Sequence, residues 1–185
     1  MENTKHKVLA VVGMCGTGKS VVTEILSQNG WSLVYFGGVV LDTVKKRNLE
    51  ITPENEKKVR ESLREEHGMA AMAIELWPTI EAKQKEGPVV LDGLYSWAEY
   101  TYLKDKLGDS LLLLAVVSDA GQRYQRLTNR KIRPLTQEEA IKRDISEIEN
   151  MEKGGPIAIA DYYIYNNASE KDLKEKVFTF LDQIS

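Results

Sequence analysis

Residues 13–20 read Gly-Met-Cys-Gly-Thr-Gly-Lys-Ser, the spacing G-x-x-x-x-G-K-[ST] of a phosphate-binding loop. The residue types suit that chemistry. Gly13, Gly16 and Gly18 let the backbone curl until its N–H groups, with those of Met14, Cys15 and Thr17, reach phosphate oxygens. A helix opening at the loop's end adds its positive pole. Lys19 can set a point charge on the β- and γ-phosphates, and the Ser20 hydroxyl can ligate Mg²⁺. Lys19 is expected to face solvent until a nucleotide binds. The plainer alternative is a glycine-rich turn with no ligand. The setting argues against it: Val8-Leu9-Ala10-Val11-Val12 precedes the loop, and Val21, Val22, Ile25 and Leu26 follow at helical spacing. The implied ligand is a nucleoside triphosphate.

Two further sets of residues bear on the reaction. Val89-Val90-Leu91-Asp92 is an apolar run ending in an aspartate. That form brings a carboxylate to the carboxyl edge of a sheet, facing the loop, where it organises Mg²⁺ or its water shell. A turn residue ahead of Gly93 is the alternative. Arg123, Arg126, Arg130, Arg133 and Arg143 gather in one stretch. Arg126 and Arg130 are spaced to share a helix face, and Arg130 and Arg133 flank Lys131-Ile132 just before Pro134. Such cations suit a lid, about residues 130–143, that closes on triphosphate and neutralises charge in the transition state. A solvated basic helix paired with Glu138, Glu139 and Glu147 is the alternative. Cys15 reads as a variable loop position rather than a reactive thiol. His6 and His67 lack metal-ligating neighbours and are given no role.

The elements that must position these groups are legible in outline. Apolar runs alternate with helical patterns, and no linker or repeat divides the chain. After the first strand and helix, Gly30 is a stop and Ser32 to Phe36 a short strand. Thr52-Pro53-Glu54 has an N-cap and a proline at the first helical position, starting a charged helical stretch to Glu86 with a break near Gly68. A strand at 89–91 follows. Ser96 and Glu99, and later Thr136 and Glu139, have capping-box spacing. Leu111 to Val117 is the most apolar run and belongs deep in a sheet. Ser118-Asp119 is expected to cap the next helix. Residues 151–160, with Gly154-Gly155-Pro156, read as loop, Tyr162 to Tyr165 as the last strand, and Ser169 as the cap of a final helix. Five strands interleaved with helices predict an α/β fold. With a phosphate-binding loop after the first strand, a three-layer P-loop NTPase fold with a parallel sheet and helices on both faces is expected; alternation alone does not fix the strand order, and 2-3-1-4-5 is taken from the resemblance to nucleoside kinases.

Composition removes other classes. The chain has 185 residues and a net charge of −3, enough for one domain with a sizeable core. Basic residues form only short groups such as Lys45-Lys46-Arg47, which argues against nucleic-acid binding. The single cysteine excludes an intrachain disulfide and suits a reducing compartment. No apolar run reaches membrane-spanning length, and Met-Glu-Asn-Thr-Lys-His-Lys lacks the apolar core of a signal peptide. A cytoplasmic location without membrane contact is expected. The absence of an Asn-Lys-x-Asp sequence argues against a GTPase, and the size argues against a typical ring-forming ATPase.

In this order the motifs resemble the dephospho-CoA kinase and nucleoside-monophosphate kinase group of P-loop kinases, particularly a dephospho-CoA kinase-like, adenylate kinase-related branch. The resemblance runs from Val8 to about Leu181. It rests on the loop octet, Thr52-Pro53-Glu54-Asn55, Leu63-Arg64-Glu65-Glu66, Leu91-Asp92-Gly93, Arg123 through Arg130, Arg143-Asp144, and Ala160-Asp161 followed by Asn166 and Ser169. It implies ATP with Mg²⁺ at the loop, an acceptor held by the helices after the second strand (about 38–86), and a lid near Arg130 and Arg133. It also implies that Asp161 and Asn166 lie near the adenine base. Three positions depart from the branch pattern on the acceptor side: Gly38 for an acid, Leu41 for an arginine, and Tyr95 for an arginine after Asp92-Gly93. Asp42, one helical turn beyond Gly38, is the remaining acid there. The acceptor candidates are Arg60 and Arg64, which share a helix face, and Tyr95. Trp97 can stack on a base or pantetheine-like group, although packing is its favoured role. The expected function is ATP-dependent phosphoryl transfer to a small nucleotide-like acceptor, with dephospho-CoA and a nucleoside monophosphate both open. The alternative is a nucleotide-binding regulatory module with slow or no ATP hydrolysis.

Overall fold

The computed structural model describes residues 6–184; residues 1–5 of the N-terminal stretch read above lie outside the described residues. Strand β1 (Val8–Val12) is buried at every position and delivers the chain into the glycine loop. Helix α1 (Lys19–Gln28) leaves it and returns the chain to β2 (Ser32–Tyr35). Phe36, expected at the end of that strand, instead opens α2 (Phe36–Lys46). Helix α3 (Pro53–His67) starts as its sequence predicts, with Thr52 Oγ1 accepting from the Asn55 N–H at 3.2 Å. A 3₁₀ turn at Gly68–Ala70 separates it from α4 (Ala71–Glu86). Strand β3 (Val89–Asp92) and α5 (Trp97–Leu107) follow, the latter opened by the Ser96–Glu99 capping box.

The second half repeats the alternation. It runs β4 (Leu111–Val117), α6 (Ala120–Asn129), α7 (Gln137–Met151), α8 (Gly154–Ala158), β5 (Tyr162–Tyr165) and α9 (Glu170–Ile184). Both the Thr136–Glu139 capping box of α7 and the Ser169 hydroxyl accepting from the Asp172 N–H are present. Three local expectations are corrected. The stretch read as loop contains α8, a short helix whose Gly155 lies flat against the Trp97 ring. Asp119 makes no side-chain cap, and Ser118 Oγ instead donates to the Asn166 carbonyl. Arg130 stands just past α6 with extended backbone, so it does not share a helix face with Arg126.

Among the described residues the strands form one parallel sheet in the order β2-β3-β1-β4-β5. The period of two sorts side chains between its faces. Val8, Ala10, Val89, Leu91 and Leu113 pack with residues of α2 to α5, while Leu9, Val11, Val90 and Val116 pack with α1 and α9. This is the three-layer arrangement expected. Among the described residues no helix is long and apolar enough to cross a membrane.

One buried ion pair ties the second half together. Arg123 of α6 and Asp144 of α7 meet through both guanidinium nitrogens, at 3.0 and 2.6 Å. Tyr124 adds its hydroxyl to the same carboxylate at 3.0 Å. The two charged side chains are 8% and 9% exposed, so removing one strands the other in an apolar environment. Asp144→Ala is therefore expected to cost about 3–5 kcal/mol of folding stability, measured by urea unfolding. A loss below about 1 kcal/mol, the range of exposed pairs, would contradict the buried-pair assignment.

Candidate functional site

The loop after β1 is held from behind. Gly13, Gly16 and Gly18 all have positive φ (144°, 84° and 97°). A Cβ at Gly13 would collide with the Val116 carbonyl oxygen, and one at Gly18 would stand 2.6 Å from Asn166 Nδ2. Four successive loop carbonyls accept from side chains. The Met14 oxygen accepts from Thr17 Oγ1 at 3.0 Å, Cys15 from Arg123 Nη1 at 3.1 Å, Gly16 from Arg126 Nη1 at 3.5 Å, and Thr17 from Asn166 Nδ2 at 2.8 Å. A trans peptide plane sets each N–H opposite the preceding carbonyl. Tying the carbonyls backward therefore turns the amides of Cys15 through Gly18 toward the mouth, the concave donor array that binds an anion.

The site cations and acids sit around that mouth. Lys19 does not face solvent as the sequence suggests: its ammonium folds back onto the carbonyls of Gly13 and Met14, at 2.9 Å each. Burial, with Lys153 adding repulsion, pushes its pKa down to about 8. Asp92 pairs in register with Val11, which puts it at the carboxyl end of β3 beside the loop. Its carboxylate accepts from Thr23 Oγ1 at 3.5 Å, and burial raises its pKa. Thr23 lies one turn beyond Ser20 on α1 and also bonds the Ser20 carbonyl at 3.2 Å. A hydroxyl and a carboxylate are hard oxygen donors of the kind Mg²⁺ takes while keeping water and phosphate oxygens as its other ligands. Among the described residues no group of three or more His, Cys, Asp or Glu side chains could hold a metal by itself.

Next to the loop, where β2 and β3 end, lies a cavity of about 650 Å³. Carboxyl ends of parallel strands are where such folds place ligands. Its walls include Arg60 and Arg64 from α3, Tyr95, and Arg133. Arg64 is half-buried, its pKa lowered by burial, and it touches Met151 Sδ at 3.4 Å. Arg133 reaches Glu56 at 3.7 Å. The Arg130 guanidinium is instead engaged by the Arg133 carbonyl, outside the cavity wall. Leu41 and Tyr95, two of the departures from the branch pattern, line the cavity, as does Gly37; Asp42 is exposed. Burial raises the Tyr95 pKa, so its hydroxyl stays a neutral donor.

Two expected base-side residues lie elsewhere or act otherwise. Asp161 stands at the opening end of β5, where its carboxylate accepts the Leu113 N–H at 2.7 Å. Leu113 pairs with Ala10, the middle residue of β1, so Asp161 stands level with the middle of the sheet and is held there by a backbone N–H. Asn166 does reach the loop, as a buried brace of Thr17. Arg123 and Arg126, read as lid cations, likewise bind loop carbonyls.

Sequence reading passed over Lys153 and saw Glu147 only as a surface partner. Lys153 is 2% exposed, its ammonium 2.6 Å from Glu147 and 4.5 Å from the centre of the Tyr95 ring. Glu147 also accepts from Arg143 at 3.0 Å. Although burial opposes it, these two cations hold the Glu147 pKa below its usual range. The available signal was a lysine just ahead of Gly154-Gly155-Pro156, a turn able to point it inward.

A family model described as AAA domain matches residues 9–153. A UPF0200 protein of Aeropyrum pernix is 36% identical over 176 residues, covering 94% of this chain and 91% of that protein. A UPF0200/UPF0201 protein of Archaeoglobus fulgidus is 36% identical over 174 residues; that match takes in 92% of this chain but only 54% of the longer relative. Among solved structures, dephospho-CoA kinase from Campylobacter jejuni superposes with a TM-score of 0.62 at 17% identity, covering 100% of this chain and 98% of that one. That likeness is one of fold, and the fold is P-loop kinase-like. The chain belongs to the AAA domain family so matched and to the UPF0200 proteins.

Two substitutions test the loop and its acid. Lys19→Ala removes a charge and two hydrogen bonds to backbone, and is expected to weaken MgATP binding at least about tenfold while the protein stays folded. Calorimetric titration with circular dichroism checks both, and unchanged affinity would remove Lys19 from the phosphate site. Asp92→Asn is expected to abolish the gain in nucleotide affinity on adding Mg²⁺, with metal-free binding altered less than about threefold. Equal losses with and without metal would mark Asp92 as a turn residue.

Proposed function

We propose that this UPF0200 member is an ATP-dependent phosphotransferase whose acceptor is a small nucleotide-like molecule, dephospho-CoA or a nucleoside monophosphate. The observation that carries the reading is a roomy, arginine-walled cavity close to a glycine loop whose carbonyls are tied back by Arg123, Arg126 and Asn166. ATP fits the loop by the chemistry of its donors. When bound, Mg²⁺ supplies charge neutralisation between the phosphates, with the Ser20 hydroxyl and the Asp92 carboxylate as its protein oxygens. The loop amides from Gly13 through Gly18 and Lys19 hold the triphosphate.

On the acceptor side, the region of about 38–86 would form the pocket within a single domain spanning 1–185. Arg60 and Arg64 would take an anionic group of the acceptor, and Tyr95 would offer a ring face and a neutral hydroxyl. Residues 130–143 would act as the lid. There Arg133 would approach the transferring phosphoryl group, while Arg130 shapes the lid by holding the Arg133 carbonyl. Positioning and charge neutralisation are the only catalytic effects this assignment needs. Leu41 and Tyr95, apolar or neutral in a wall where the related branch carries cations, favour the second reading: a nucleotide-binding module with slow or no hydrolysis.

The two readings separate in one panel. ATP consumption and product formation are followed across nucleosides, nucleoside monophosphates and dephospho-CoA. A phosphorylated product from one acceptor class supports the kinase; turnover that is absent or independent of acceptor supports the module. With an acceptor in hand, Arg133→Ala is expected to lower turnover about a hundredfold, equivalent to roughly 3 kcal/mol, with a smaller change in ATP affinity. Unchanged steady-state kinetics in both Arg130→Ala and Arg133→Ala would remove the lid.

A further inference from the structure

Lys153 stands in an unusual position for a lysine. Side chains of this type are almost never fully buried unless paired, and its partner Glu147 is shared with Arg143. One carboxylate thus answers two cations. The other acids of the cavity wall do not make up the difference. Glu99 is spent on the N–H groups of Tyr95 and Ser96 at the start of α5, and Glu56 faces Arg133. Arg60 and Arg64 add further positive charge to the same wall. An ammonium has three donors, and Glu147 occupies one of them while the Tyr95 ring covers one side.

The backbone is shaped to put Lys153 there. Glu152, immediately before it, ends α7 in the left-handed region at φ 50°, a conformation a non-glycine residue adopts at a cost. The turn is then seated by Gly155, whose Cβ position lies 2.5 Å from the Trp97 ring. Lys153 arrives from one side of the cavity and Lys19 from the loop, and the repulsion between them is one of the causes that lower the Lys19 pKa. Cations that repel one another in this way are relieved when an anion binds beside them.

We infer that Lys153 is a second phosphate-binding cation, which meets the γ-phosphate of the bound nucleotide where the loop opens into the acceptor cavity. The inference rests on the nucleotide reading of the loop and deepens it. Glu147 holds the ammonium in place, and the Tyr95 ring prevents it from swinging out to solvent. The competing role is purely structural, a buried lysine neutralising a buried glutamate.

The test compares two nucleotides that differ at the γ-phosphate. MgADP and the Mg²⁺ complex of the β,γ-imido analogue of ATP are titrated by calorimetry into wild type, Lys153→Met, Glu147→Gln, and the double variant. Lys153→Met is expected to weaken the triphosphate analogue about tenfold or more and MgADP less than about twofold. Should Lys153→Met alone fail to fold, the step from Glu147→Gln to the double variant reads the same charge without stranding the carboxylate. The same selective loss is expected there. Equal loss of both nucleotides, or no loss of either, overturns the assignment and leaves Lys153 as a packing residue while the nucleotide reading stands. Wild type binding neither nucleotide overturns the loop reading, and this inference with it.

Discussion

The capture of three consecutive loop carbonyls, those of Cys15, Gly16 and Thr17, from behind is the constraint on which the rest of this structure depends. A chain with three glycines at positive φ has no intrinsic reason to hold one shape. Here Arg123, Arg126 and Asn166 hold it, and all three come from the other half of the sequence. Ser118 and Asn166 extend the clamp, since the Asn166 carbonyl collects both Ser118 Oγ and Arg126 Nη2. The anion site is therefore a product of β4, β5 and α6 as much as of the loop that carries its motif. Side chains that look like catalytic cations on a helical wheel are here the scaffold that preorganises backbone donors.

A second theme is a buried cation beside the cavity. Lys153 is buried against Glu147, which it shares with the exposed Arg143, and all three line the cavity. Burying like charges is unfavourable unless an opposite charge arrives. A cavity built this way selects for anions before any hydrogen bond is considered. Its apolar lining, with Phe36, Val40 and Met72 among the walls, leaves room for an uncharged ring or chain beside the anionic group.

Much of this was legible in the sequence, for identifiable reasons. The loop and the capping boxes at Ser96 and Thr136 follow from local spacing, the strand order comes from the likeness to nucleoside kinases, and the structure has all of them. Asp92 was legible because an apolar strand ending in an acid has one place to go in a parallel sheet. The misreadings arose where tertiary partners decide. Arg123 and Arg126 have the spacing of solvent or lid cations, and only the fold brings the Cys15 and Gly16 carbonyls and the Asp144 carboxylate to them. Lys19 turns inward because two carbonyls are nearer than water. Asp161 was assigned to the base through resemblance, whereas its carboxylate accepts from the Leu113 N–H, level with the middle of the sheet. Lys153 was passed over because burial of a lysine leaves no periodic trace.

Helix α7 (Gln137–Met151) carries these arrangements on neighbouring faces. Asp144 grips Arg123, which in turn holds the Cys15 carbonyl, while Arg143 and Glu147 border the cavity. A helix fastened through Arg123 to the loop and through Arg143 and Glu147 to the cavity wall cannot rotate for one without being felt by the other. Where occupancy of the cavity shifts that helix, linkage requires reciprocity: whatever factor the acceptor adds to nucleotide affinity, the nucleotide must add to acceptor affinity. Where that factor exceeds one, each ligand binds more weakly alone than beside the other, and the order of arrival does not alter the strength of the final complex.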